Sequence, residues 1–153
     1  MTGPGIESRI PAGARLVLDT SVLVAHITGT EVVSPVATRI VDGFITHGRN
    51  TAVASALSVG EALVRPAQAG LAREVGLGLL DIPGVQVRSV DFLVAAEAAR
   101  IRAATALRMP DSVVIATGVL TTSHILVTND RRLAAAVPDV VPGMQVVLLS
   151  DLV

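Results

Sequence analysis

The chain has 153 residues, a formal net charge of −1 and 51% apolar residues, with no Cys, Tyr or Trp and with Phe at two positions, Phe44 and Phe92. That length suits one domain with a sizeable core, built here from Val, Leu, Ile and Ala. The absence of Cys excludes disulfides, thiolate chemistry and Cys-ligated zinc, the absence of Lys excludes a catalytic lysine, and the near-neutral balance leaves no global basic field for nucleic acid.

Any contact with nucleic acid must therefore come from a local patch or through a metal ion, and the scarcity of aromatics argues against base stacking as the main grip. The apolar runs are interrupted by charge or Gly and fall short of a membrane span. The start, Met-Thr-Gly-Pro-Gly-Ile-Glu, lacks a basic segment followed by an apolar one, so no signal peptide is expected. A soluble cytoplasmic protein is the expectation.

Residues 1–14, with Gly3, Pro4, Gly5, Pro11 and Gly13, read as a flexible lead-in. Leu16, Val17 and Leu18 form a short buried strand that stops at Asp19-Thr20-Ser21 and turns at once into an apolar helix, Val22 to Ile27. Ser34-Pro35 reads as N-cap and first helical residue, with Val36, Ile40, Val41 and Phe44 at helical spacing and a stop at Gly48. Residues 51–54 form a second strand, and Ser55 caps a helix carrying Leu57, Val59, Glu61, Leu63 and Val64, which Pro66 bends or ends. A helix from Leu71 to Leu80 follows. Pro83-Gly84 turns into a strand over 85–90, and Asp91 caps a long helix over 92–107. Pro110-Asp111 opens a helix over Ser112 to Leu120. A strand over 125–128 ends at Asn129-Asp130 before a short helix over 131–137, and the last strand covers 145–149. Strands alternating with helices mean an α/β fold: a mainly parallel central sheet of about five strands with helices on both faces, in one domain over 15–153. Right-handed crossovers then bring the carboxyl ends of the strands, with Asp19 and Asp130, to one edge.

Taken singly, Asp19, Asp111 and Asp130 each suit a helix cap. Glu61 is less easily explained, because it shares a face with Leu57 and Val64 in a segment that reads as buried, where an unpaired acid is rare. Together, four acids converging at one edge repel each other, and either a raised pKa or a bound cation relieves this. Hard oxygen ligands select magnesium or manganese, which activate water and stabilise the leaving oxygen in phosphoryl displacement. Thr20, Ser21 and Asn129 stand near enough in sequence to orient ligands or water.

The segments Leu-Asp19-Thr-Ser-Val-Leu-Val-Ala, Val-Gly-Glu61-Ala-Leu, Met-Pro-Asp111-Ser-Val-Val-Ile-Ala-Thr and Leu-Val-Thr-Asn-Asp130-Arg-Arg-Leu resemble a PIN-domain ribonuclease. In order and spacing they look most like the VapC-type toxin of bacterial VapBC toxin–antitoxin pairs. The similarity runs from about Arg15 to Val153 and rests most on the Asp111 and Asn129-Asp130 motifs. It implies a PIN-like fold and an endoribonuclease that cleaves RNA phosphodiesters, with Asp19, Glu61, Asp111 and Asp130 as the acidic Mg2+ or Mn2+ site. It further implies RNA as substrate, a small cognate antitoxin as inhibitor and a homodimer. Val-Gly before Glu61 departs from the small hydroxyl residue often found there.

Arg65, Arg108, Arg131 and Arg132 lie near the acidic motifs and are candidates for holding RNA phosphates. His26, His47 and His124 have no metal-ligand spacing, and Ala95, Ala96, Ala99 and Ala103 read as a close-packed core face. A phosphoaspartyl receiver would need a late Lys, and an aspartate-nucleophile phosphatase would want an acid where Ser21 stands. The non-enzymatic alternative is a catalytically weak PIN-like module that binds protein.

Overall fold

In the computed structural model, which describes residues 5–153, five parallel strands form one sheet: β1 (Arg15–Leu18), β2 (Thr51–Ser55), β3 (Val85–Arg88), β4 (Ile125–Thr128) and β5 (Gln145–Leu148), in the order β3-β2-β1-β4-β5. Alternation along each strand divides the core. Leu16, Leu18, Ala54 and Val127 face one layer, whereas Val17, Val53 and Leu126 face the other, as a pleated strand buried on both faces requires. The first layer holds α1 (Ile6–Arg9), α2 (Thr20–Thr28), α3 (Ser34–Thr38) and α4 (Ala56–Ala62); the second holds α7 (Phe92–Ala104), α8 (Met109–Leu120) and α9 (Arg131–Val140). Two further helices, α5 (Val64–Gln68) and α6 (Ala72–Leu80), lead into β3. Among the described residues no single helix is long and apolar enough to cross a membrane.

The chain builds β1, β2 and β3 outward on one side, then returns to lay β4 beside β1. Strand order reverses there, and side chains at the carboxyl ends of β1 and β4 face a common crevice. Leu18 pairs in register with Val127, and the Asp19 N–H donates to the Val127 carbonyl at 3.0 Å. The residues that follow the two strands are thereby held side by side.

Several local expectations are corrected by packing. Residues 5–14 include the helical turn α1, and its Ile6 and the Ile10 that follows it are buried in the core. Arg49 Nη1 donates to the Ile10 carbonyl at 2.6 Å, and Asn50 Nδ2 donates to the Pro11 and Ala14 carbonyls at 2.8 and 2.9 Å. The part of the expected lead-in over residues 1–4 lies outside the described residues. Ser34 does not cap its own helix; its hydroxyl accepts from the Glu31 N–H and donates to the Ala25 carbonyl, tying the loop back to α2. The helix it begins widens into a π-helical stretch, Arg39–Ile45. On α7 the face of Val94, Ala98 and Ile101 is buried, so Ala95, Ala96, Ala99 and Ala103 are exposed rather than packed in the core. The last long helix runs through Pro138 to Val140 instead of ending before it.

Candidate functional site

Asp19 stands one residue past β1 and is 6% exposed. It occupies the N-cap position of α2, yet its carboxylate caps no backbone N–H of that helix. Its Oδ2 instead accepts from two hydroxyls, Ser21 Oγ at 2.8 Å and Thr128 Oγ1 at 2.7 Å. Ser21 Oγ accepts in turn from the Asn129 N–H at 2.9 Å, and Thr128 Oγ1 accepts from the Asp130 N–H at 3.0 Å. Asp19 is thus not a cap but an acid held by one hydroxyl of its own helix and one of the neighbouring strand.

Asp130 does cap its helix. Its Oδ1 accepts from the Arg132 and Leu133 N–H groups at 2.9 and 3.3 Å, so its capping and any second role coexist. Asn129 Oδ1 accepts from the Ser150 N–H at 3.1 Å, which anchors the turn to the end of the chain.

Asp111 lies in the first turn of α8, with Arg108 at the N-cap, so it is not the cap. The residue is buried, and among the described residues its Oδ2 has no hydrogen-bond partner. Arg108 Nε and Arg132 Nη2 stand 3.9 and 3.8 Å from that oxygen. Burial first, and then the Asp19 and Asp130 carboxylates, hold the Asp111 carboxyl above its ordinary pKa, against the opposing pull of Arg108 and Arg132.

The segment around Glu61, read as buried, is instead turned outward. The buried side of α4 is Ser58 and Ala62, so Leu57 and Glu61 are exposed, as is Val64 at the start of α5. Glu61 reaches the site from the rim, where its Oε1 accepts from Thr20 Oγ1 at 3.0 Å.

These groups line one cleft of about 630 Å³ at the carboxyl edge of the sheet. Its walls include Asp19, Thr20, Ser21, Glu61, Arg108, Asp111, Asn129, Asp130 and Arg131, and also Glu31, which the sequence did not single out. Glu31 comes from an irregular loop and shows no periodicity that would mark it. Thr128 was also missed, because the last residue of an apolar strand reads as core. Arg132 approaches from beside the cleft through Asp111, whereas Arg65 is exposed and is not part of the lining.

As the side chains stand, no three acidic or imidazole groups among the described residues enclose a metal position. The chemistry of the donors nevertheless fits a hard cation: an all-carboxylate set joined by hydroxyl and amide oxygens, with a buried carboxylate oxygen left unpartnered on Asp111. With a cation bound, such a donor set can polarise a phosphoryl oxygen and activate a water.

Residues 16–137 match the model of the PIN domain family. No curated protein matches the sequence. Solved structures of similar fold include FitAcB from Neisseria gonorrhoeae, with 19% identity, a TM-score of 0.67 and coverage of 89% of this chain and 98% of that one. A toxin–antitoxin complex from Klebsiella pneumoniae has 17% identity, a TM-score of 0.65 and coverage of 89% and 98%. VapC20 from Mycobacterium tuberculosis, described as a toxin that cleaves the sarcin-ricin loop, has 16% identity, a TM-score of 0.65 and coverage of 80% and 95%.

Proposed function

Because the chain belongs to the PIN domain family, we propose that its acidic cleft is the centre of a divalent-metal-dependent endoribonuclease, the toxin of a type II toxin–antitoxin pair. The observation that carries this reading is Asp111: a buried carboxylate with an unpartnered oxygen, flanked by Asp19 and Asp130 where strand order reverses. A structural ion pair would have placed a cation in direct contact, whereas both arginines remain at the outer limit of pairing. An inert binding module has no use for so costly a group.

Asp19, Asp111 and Asp130 would hold Mg2+ or Mn2+, with Glu61 entering from the rim. When bound, the ion supplies Lewis-acid polarisation of a phosphoryl oxygen and a water of lowered pKa. The chain's own contribution is orientation and charge. Asp19 lines the cleft with its Oδ2 occupied, which leaves Oδ1 for a ligand, Thr20 steers Glu61, and Asn129 holds the turn that carries Asp130. Arg108 and Arg131 line the cleft and Arg132 stands beside it, so these three are placed to take the phosphates on either side of the scissile bond. Arg65 lies outside this group.

The similarity to a structure described as a toxin–antitoxin complex supports a small antitoxin that covers the cleft, and the similarity to one described as a sarcin-ricin loop cleaving toxin supports cytoplasmic RNA as the substrate. A homodimer would bury exposed apolar residues such as Phe92 and Leu93, which are 82% and 61% exposed.

The test is cleavage of RNA by purified protein. Chelator should stop it, and Mg2+ or Mn2+ should restore it. Asp111→Asn should stay folded and lose activity by at least about a hundredfold, the scale of losing a principal electrostatic group. Undiminished cleavage in excess chelator, or by Asp111→Asn, would overturn the proposal.

A further inference from the structure

We propose that Thr128 and Ser21 are positioning residues which together fix the orientation of Asp19, so that this carboxylate offers one defined oxygen, Oδ1, to the cleft. The inference deepens the functional reading above and rests on it for what Oδ1 then does. The juxtaposition itself rests on the hydrogen bonds alone.

Two consecutive backbone N–H groups, those of Asn129 and Asp130, donate to the two hydroxyls. A backbone N–H can only donate, so it occupies an acceptor site on each hydroxyl. Each hydroxyl has one proton, and both protons are directed at the same atom, Asp19 Oδ2, at 2.8 and 2.7 Å. A hydroxyl polarised by one donor is a stronger donor itself, and donation to an anion is stronger still. The carboxylate plane is therefore set by two hydroxyls, one from the first turn of its own helix and one from the end of the adjacent strand, each held by a backbone N–H of the turn that follows β4.

The placement of the two hydroxyls follows from the fold. Thr128 ends β4 and is wholly buried, and Ser21 lies in the first turn of α2. They meet, at 3.5 Å from each other, because β1 and β4 are neighbours in the sheet. Thr128 joins the Asp19 carboxylate to the backbone of Asp130, so one hydroxyl ties the first acid to the turn that carries the second. Partners of this kind around metal-binding carboxylates orient the ligand and tune its basicity.

The experiment uses Thr128→Val, which keeps the shape and removes the hydroxyl, Thr128→Ser, which restores the hydroxyl, and Ser21→Ala. Mn2+ binding is measured by calorimetry, RNA cleavage is measured in parallel, and stability is measured in chelator with and without Asp19→Ala. Thr128→Val is expected to weaken Mn2+ binding by about 10–100-fold, the usual effect of losing an orienting partner, with Thr128→Ser recovering most of it. The shift in the folding equilibrium caused by Thr128→Val should shrink by about fivefold or more in the Asp19→Ala background, since groups in direct contact are not additive. A folded Thr128→Val that binds Mn2+ like the parent, or strict additivity with Asp19→Ala, would overturn the proposal. If Thr128→Val fails to fold, Ser21→Ala in the same cycle decides by the same criteria. A parent that neither binds Mn2+ nor cuts RNA would refute the nuclease reading, while the stability cycle would still decide whether the hydroxyls hold Asp19.

Discussion

Asp111→Asn gives a direct measure of the electrostatic strain in the cleft. The carboxylate is buried, its Oδ2 has no partner among the described residues, and its pKa is raised by burial and by Asp19 and Asp130. Leaving a buried polar group unsatisfied costs about 1–3 kcal/mol. Asparagine retains part of that cost, because an amide in the same place also wants partners. The substitution removes the charge, and with it the repulsion from two carboxylates. It also forfeits attraction to Arg108 and Arg132, which at 3.9 and 3.8 Å and with mostly exposed side chains contribute only about 0.2–1 kcal/mol each. The balance favours the mutant by about 1 kcal/mol at neutral pH in chelator, or about 2–4 °C in Tm for a chain of this size.

The pH dependence supplies the sign. A folded-state pKa above the unfolded one means that the native state binds the proton more tightly, so this contribution to stability is present in full at low pH. It is lost as pH rises from the unfolded pKa through the raised folded one. The advantage of Asp111→Asn should therefore be largest at neutral pH and vanish in acid, where the parent's Asp111 is protonated. Added Mg2+ should reverse the ranking by stabilising the parent, and do so much less for the mutant. Urea or thermal unfolding across pH, with chelator and with millimolar Mg2+, checks all three points. A mutant less stable than its parent by the same amount at every pH would refute the reasoning.

Asp130→Asn should preserve stability to within about 0.5 kcal/mol, since Asn caps as well as Asp, and yet lose cleavage; Asp130→Ala should also lose about 1 kcal/mol in urea unfolding. Ser34→Ala breaks one buried and one part-buried hydrogen bond and should cost about 1–3 kcal/mol, with faster amide exchange at Glu31 as the local readout. Gly118→Ala would put a methyl 2.8 Å from Val17 Cγ1 and 2.9 Å from Met144 Cε. Met144 can yield but a buried strand valine cannot, so a loss of about 1–3 kcal/mol is expected by denaturant unfolding.

Much of the fold was legible along the chain because periodicity and punctuation are local signals. Apolar triplets marked four of the strands and the Pro83-Gly84 turn marked β3, Ser55 and Asp91 marked helix starts that they do cap, and the alternation of strands and helices implied a parallel sheet. Asp19 and Asp130 could be assigned to one edge because each follows an apolar strand, and parallel crossovers put such ends together. What sequence could not supply was the rotation of helices and the identity of partners across the sheet. The exposure of Ala95, Ala96, Ala99 and Ala103, and of Glu61, depends on which face each helix turns toward the core. The burial of Ile6 and Ile10 depends on Arg49 and Asn50, some forty residues away. Thr128 became an orienting group only once β4 lay against β1, since the partner of its hydroxyl is 109 positions distant. Local chemistry therefore determined which residues could form an acidic site, and sheet order decided which hydroxyls hold it, because hydrogen bonds over 2.7–2.8 Å require a register that only tertiary packing fixes.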